Sequence, residues 1–202
     1  MIAGRDTTSC TLAYTMKFVG QNPEIEKRLL NEAVLPLAAK GDKVTWDDSR
    51  NYPFADATFN EVLRMAPPVG DDLRICVGDD TWPSGTKVTD GTRVLICNVS
   101  IGRDPFLWKN ADTFDPDRWM SYDETGVPAH VKRMDEFVYP VFFSGRRLCL
   151  GKDMARFESI VFMTKIFSKL RIIPEKCPDP TMSTGPVIFM RGGNLCRVEK
   201  RQ

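Results

Sequence analysis

The chain has 202 residues, 42% of them hydrophobic, and its 28 basic and 27 acidic side chains leave a net charge of +1. That length suits one large domain or two small ones, and the near-neutral balance excludes a nucleic-acid binder working by broad phosphate neutralisation. No apolar run approaches the roughly 20 residues that cross a bilayer, and "MIAGRDTTSC" has neither the basic start nor the apolar centre of a secretory signal.

Helical patterning opens the chain and continues through "AYTMKFV" to Gly20 and Pro23, with no capping residue ahead of Met1 and Ile2. This is the pattern of a helix entered partway. A second helix covers "PEIEKRLLNEAVLPLAAK", with Ile25, Leu29, Leu30, Ala33 and Val34 as its apolar positions. A third runs from about Tyr52 to Arg64 and stops at Pro67 and Pro68. The middle turns to strands. "LRICV" is a short apolar run, "RVLICNVSI" reads as a buried strand, and Asp90-Gly91 predicts a hairpin turn ahead of it. Residues 105–140 are rich in proline, aspartate and aromatics without periodicity, as in functional or wrapping segments. The helix from Leu150 to Leu170 carries Met154, Phe157, Ile160, Val161, Met163, Phe167 and Leu170, which predicts burial on most sides. The end, "GPVIFMRGGNLCRVEK", reads as a hairpin turning at Gly192-Gly193. The fold class is mainly α with small β-sheets.

The six cysteines form no C-x-x-C pair, and the single histidine, His130, has no partner in sequence. A Cys/His zinc site is therefore not expected. Cys76 and Cys97 lie in apolar strand-like runs, as reduced core thiols do, which points to a reducing setting.

Cys149 is different. It stands in "FFSGRRLCLGKDMARF", residues 142–157, between two glycines and after two arginines, just ahead of the predicted helix. A cysteine ligates metal only as the thiolate, and its ordinary pKa lies near ~8.5, so the anion needs help. A helix beginning at or just after Cys149 aims its free N–H groups and dipole at the sulfur. Gly145 and Gly151 permit tight backbone and close approach to a flat ligand. Arg147 offers a planar, multi-donor group to a carboxylate, and Phe142 is placed to keep water from the sulfur. Together these suit a thiolate axial ligand to haem iron with an arginine-bound propionate. A structural thiol in a basic surface turn is the plainer reading of one cysteine, but it does not account for the whole spaced set.

Phe142-x-x-Gly145-x-Arg147-x-Cys149-x-Gly151 closely resembles the haem-binding signature of the cytochrome P450 monooxygenases. Three further landmarks of that family follow the expected order. Ala3-Gly4-Arg5-Asp6-Thr7-Thr8 resembles the oxygen-activating helix motif, Glu61-Val62-Leu63-Arg64 the Glu-x-x-Arg motif, and Pro116-Asp117-Arg118-Trp119 the stretch before the cysteine loop. The resemblance covers essentially the whole chain and implies one partial domain, residues 1–202, forming the C-terminal half of the family's fold. It implies haem b (iron protoporphyrin IX) with Cys149 on the iron, and propionates held by Arg147 and by Arg74, the lone arginine of "LRICV". A buried arginine there needs an anion; a strand-edge arginine reaching to water is the alternative. It further implies a helix distortion beside Gly4 that admits dioxygen, proton relay by Asp6 and Thr7 through water, and a buried Glu61–Arg64–Arg118 network that fixes the cysteine loop.

The activity so implied is oxygen insertion into a lipophilic small molecule, fatty-acid chain-end hydroxylases being the closest in flavour. Electrons are expected from an NADPH-dependent reductase, docked on a basic face of Arg146, Lys152 and Arg156 or indifferent to that patch. A peroxide-using or isomerising haem-thiolate enzyme and a haem-free remnant are the other classes. A complete member is more than twice as long, so the chain is expected to lack the N-terminal membrane anchor and most substrate-recognition segments, and to be inactive alone. A full-length relative is expected on the cytoplasmic face of the endoplasmic reticulum.

Overall fold

The computed structural model describes residues 2–126, 128–176, 187–190 and 192–201. Helix α1 (Ile2–Gly20) leads into α2 (Pro23–Ala39). The junction is set by Asn22, whose amide donates to the Phe18 carbonyl at 2.7 Å, and by Pro23, whose missing N–H costs nothing at a helix start. Along α2 the buried stripe is Leu29, Ala33 and Leu37, spaced one turn apart. Val34, expected on that stripe, is exposed.

Helix α3 (Pro53–Met65) is the centre of the molecule, and every residue from Phe54 to Met65 except Asn60 is buried. Its residue at the N-cap, Tyr52, supplies no side-chain cap. The free amides are met instead from α2: the Glu32 carboxylate accepts from Phe54 N at 2.6 Å and Ala55 N at 2.9 Å. Around α3 lies the main core, where Phe59, Leu63, Trp108, Trp119, Ile160, Met163 and Phe167 meet. Trp119 and Tyr139 pack edge to face with centroids 4.6 Å apart.

The strands form four separate two-stranded antiparallel sheets. β1 (Asp71–Ile75) pairs with β4 (Arg93–Cys97), β2 (Asp80–Thr81) with β3 (Lys87–Val88), β5 (Met120–Tyr122) with β6 (Pro128–Val131), and β7 (Leu170–Lys176) with β8 (Leu195–Lys200). A mainly helical fold with small sheets is what the sequence pattern implies. The pairings differ from it twice. Asp90-Gly91 does make a tight turn, with Gly91 at φ +77° and Thr92 N bonded to Thr89 O at 3.0 Å, yet the strands on either side belong to different sheets. Likewise the Gly192-Gly193 turn leads into β8, whose partner is β7; residues 177–186 lie outside those described.

Two burial expectations also change. "RVLICNVSI" is a half-exposed strand that becomes a short helix, α4 (Asn98–Gly102). Helix α5 (Lys152–Lys169) is buried only in its second half, at Ser159, Ile160, Met163, Thr164 and Phe167, whereas Met154 is exposed. Cys76 and Cys97 are half-buried rather than in the core, and no disulfide occurs among the described residues, where Cys10, Cys76, Cys97 and Cys149 are free thiols. His130 is exposed on β6.

Burial pushes the Glu32 carboxyl up to about 7 from 4.5, with Asp56 adding to the rise while the two α3 amides and Arg28 oppose it. A carboxyl with a raised folded-state pKa contributes stability that is full below about 4.5 and is lost as pH rises through about 7. The urea midpoint is therefore expected to fall across that window, and the Glu32→Gln variant, which cannot ionise, to show a flatter profile.

Candidate functional site

The four sequence landmarks converge on α3. Glu61 and Arg64 are three residues apart on one helical face, and both side chains are fully buried. Arg64 Nε donates to Glu61 Oε2 at 2.8 Å and Nη2 to Oε1 at 2.7 Å. A 3-10 turn at Pro116–Trp119 delivers three more donors to the same carboxylate: Asp115 N at 2.8 Å, Arg118 Nε at 3.0 Å and Trp119 Nε1 at 2.8 Å. The rest of the Arg64 fork meets the carbonyls of Gly102, Ala111 and Thr113 at 2.5 to 3.0 Å. Gly102 is required here, because a Cβ would lie 2.3 Å from the Arg64 carbonyl. The next segment is tied to the same helix by Tyr139, whose hydroxyl donates to Asn60 O at 3.0 Å; burial, with Glu61 nearby, pushes that hydroxyl well above its ordinary range.

Beyond Tyr139 the chain enters the cysteine loop. Its turn needs Gly145 at φ +59°, and Phe143 also holds φ +57°, a backbone region that costs an ordinary residue roughly 1–2 kcal/mol. Cys149 N closes the loop on Phe142 O at 2.9 Å. Gly151 has an ordinary φ of −89° and open space around it, so the backbone there makes no demand for glycine. Helix α5 begins at Lys152 with Gly151 as its cap, so Cys149 stands three residues ahead of the helix, not at its first turn. The thiol is exposed and the Phe142 ring lies against Phe59, with centroids 6.2 Å apart; the expected cover over the sulfur is not seen.

Cys149 opens onto an apolar cavity of about 230 Å³. Thr7, Thr8 and Thr11 of α1 form one wall, Phe59 and Leu63 of α3 another, Phe142, Phe143 and Ala155 the cysteine-loop side, with Pro68, Val69 and Val141 completing it. Helix α1 runs from Ile2 to Gly20, through Gly4. The Thr7 and Thr11 hydroxyls donate one turn back, to Ala3 O at 2.8 Å and Thr7 O at 3.0 Å, which leaves their oxygens as acceptors towards the cavity.

Of the sequence-predicted residues, Thr7, Phe142 and Cys149 share the cavity wall. Asp6 does not: neighbours on a helix point about 100° apart, and its carboxylate pairs with Arg5 Nε at 2.8 Å. Arg147 is exposed in the 3-10 turn Gly145–Arg147. Arg74 on β1 is half-exposed, paired with Asp72 and set over the Phe143 ring at 5.2 Å. Arg156 is not a free member of a basic face, since it grips Asp56 of α3 with two hydrogen bonds of 2.6 Å. Thr8, Thr11, Phe143 and Ala155 escaped sequence reasoning; Thr11, one turn from Thr7 on the same face, carried a readable signal.

Removing the buried carboxylate in Glu61→Ala leaves Arg64 with no counter-charge and is expected to cost roughly 3–5 kcal/mol, measured by chemical denaturation. Arg156→Lys keeps the charge but loses the fork on Asp56, with an expected loss of about 1 kcal/mol in the same assay.

Comparison with known proteins gives a match to the family model "Cytochrome P450" over residues 1–196. Cytochrome P450 94A2 of Vicia sativa is 31% identical over the whole chain and 39% of its own length. Cytochrome P450 94B1 of Arabidopsis thaliana is 30% identical with the same coverage. Cytochrome P450 6B2 of Helicoverpa armigera is 31% identical over 95% of the chain and 37% of its own length. The chain thus spans about two fifths of the length of the curated relatives it matches. Among the described residues no helix is long and apolar enough to cross a membrane.

Proposed function

Because the chain belongs to the cytochrome P450 family, we propose that its gene product is a haem-thiolate monooxygenase. It places one oxygen atom of O2 into a lipophilic, fatty-acid-like substrate, with electrons from an NADPH-dependent reductase. The observation that carries this reading is Cys149 on the wall of an apolar cavity that the threonine face of α1 also lines. The residues fit haem b: the lining is apolar, one thiol stands on it, and the Arg74 guanidinium lies over the ring of Phe143, itself a lining residue. When bound, haem would supply reductive activation of dioxygen.

The remaining work falls to the chain. Cys149 would hold the iron as thiolate, in a loop shaped by Gly145 and carried into α5 through Gly151. Arg147 and Arg74 would hold the propionates. Phe142 and Phe59 keep water from the apolar wall. Thr7, with its hydroxyl proton turned to Ala3 O, accepts a hydrogen bond from water in the cavity and orders a proton path, which Asp6 feeds from solvent. Glu61, Arg64 and Arg118 are structural: they fix the segment leading to the cysteine loop.

A second reading, a peroxide-using or isomerising haem-thiolate enzyme, draws on one observation: Asp6 is paired with Arg5 and lies off the cavity. Turnover with peroxide but not with NADPH and reductase selects it. For both readings the full gene product is expected to show a red-shifted Soret band when reduced under carbon monoxide, and Cys149→Ser to lose it. An unchanged band in that variant overturns the assignment.

A further inference from the structure

We propose that Phe143 is a positioning residue for Arg74, and that the pair seats the anionic edge of the group occupying the cavity; this rests on the haem-thiolate reading above. Phe143 holds φ +57°, a conformation that a bulky side chain keeps only where its surroundings enforce it. Glycine takes the same backbone freely, as Gly145 does two residues on. An aromatic ring at this point therefore answers to something other than the turn.

The ring has two neighbours. One side lines the cavity beside Cys149. Over it lies the Arg74 guanidinium, 5.2 Å from the ring centroid, within the roughly 6 Å at which a cation is held by an aromatic face. Strand alternation turns Asp72 and Arg74 to the inner face of β1, while Asp71, Leu73 and Ile75 face solvent. Arg74 does not itself line the cavity; it contacts Phe143, which does, and its side chain is 42% exposed. Its contacts with Asp72 and with the Leu73 carbonyl both use Nη1. An Nε–Nη2 edge is the face of a guanidinium that takes a bidentate carboxylate. Ring, strand and Asp72 together orient a cation that would meet the carboxylates of a flat apolar ligand in the cavity.

The test is a titration of the full gene product with haem and, separately, with its dimethyl ester, which has no free carboxylates, followed by the Soret band. Phe143→Leu is expected to weaken haem binding about fivefold, to leave the diester unaffected, and to cause no further loss in an Arg74→Leu background. Phe143→Tyr is expected to bind as the unaltered protein does. Phe143→Gly relieves the backbone and loses the ring, so it gives the same discrimination should the leucine variant fail to fold. Equal losses for both ligands would make the ring a mere wall and overturn the proposal, as would unchanged haem affinity or losses that add to those of Arg74→Leu. Unaltered protein without a thiolate spectrum sinks the underlying reading as well; a normal spectrum with an indifferent Phe143 sinks only this one.

Discussion

A carboxylate with no access to water persists only when its acceptor sites are met by donors, and Glu61 receives five hydrogen bonds: two from Arg64 and one each from Asp115 N, Arg118 and Trp119. Other features of the candidate site are referenced to that point. Arg64, held on Glu61, uses its remaining donors to fix three backbone carbonyls. Arg118 and Trp119 bring in the segment before β5, and the Trp119 indole packs on Tyr139, which is bonded to α3 in turn. From Tyr139 only a short span remains to Cys149. Downstream of the cysteine, Arg156 returns to Asp56 on the same helix. Both flanks of the loop are therefore fastened to α3, a stiff rod buried along almost its whole length.

This arrangement gives the apolar cavity fixed walls on three sides, from α1, α3 and the cysteine loop. The walls are made of short-range order, while their relative placement depends on charge pairs distant in sequence. Proteins break local rules where a site needs it, and the left-handed Phe143 is such a break: it lies on the wall of the cavity.

Local patterning made much of this legible. Helix ends are marked by Pro23, Pro53 and the Pro67-Pro68 pair, and the i,i+3 spacing of Glu61 and Arg64 is enough to place them on one face. What sequence spacing does not show is partnership. Asp90-Gly91 specifies a turn, but which strands pair depends on contacts outside the turn, and β3 and β4 pair with different neighbours. Glu32 caps α3 from 22 residues away and Arg156 meets Asp56 from 100, distances at which no periodicity operates. Asp6 and Thr7 look like a unit because they are adjacent, and helical rotation parts them. The basic run near Cys149 likewise reads as one patch, although Arg156 turns inward to α3.

The spacing of the Glu61 cluster also sets an order in time. Glu61 and Arg64 leave the ribosome well before their partners, Asp115 following by 54 residues and Trp119 by 58. At about 5–20 residues per second that interval lasts roughly 3–11 s. Through it the nascent helix carries an acid and a base made for burial with only each other to satisfy them. The central rod is thus translated before its partners and completed only after them, and the growing polypeptide must stay solvated or chaperoned until the tryptophan arrives.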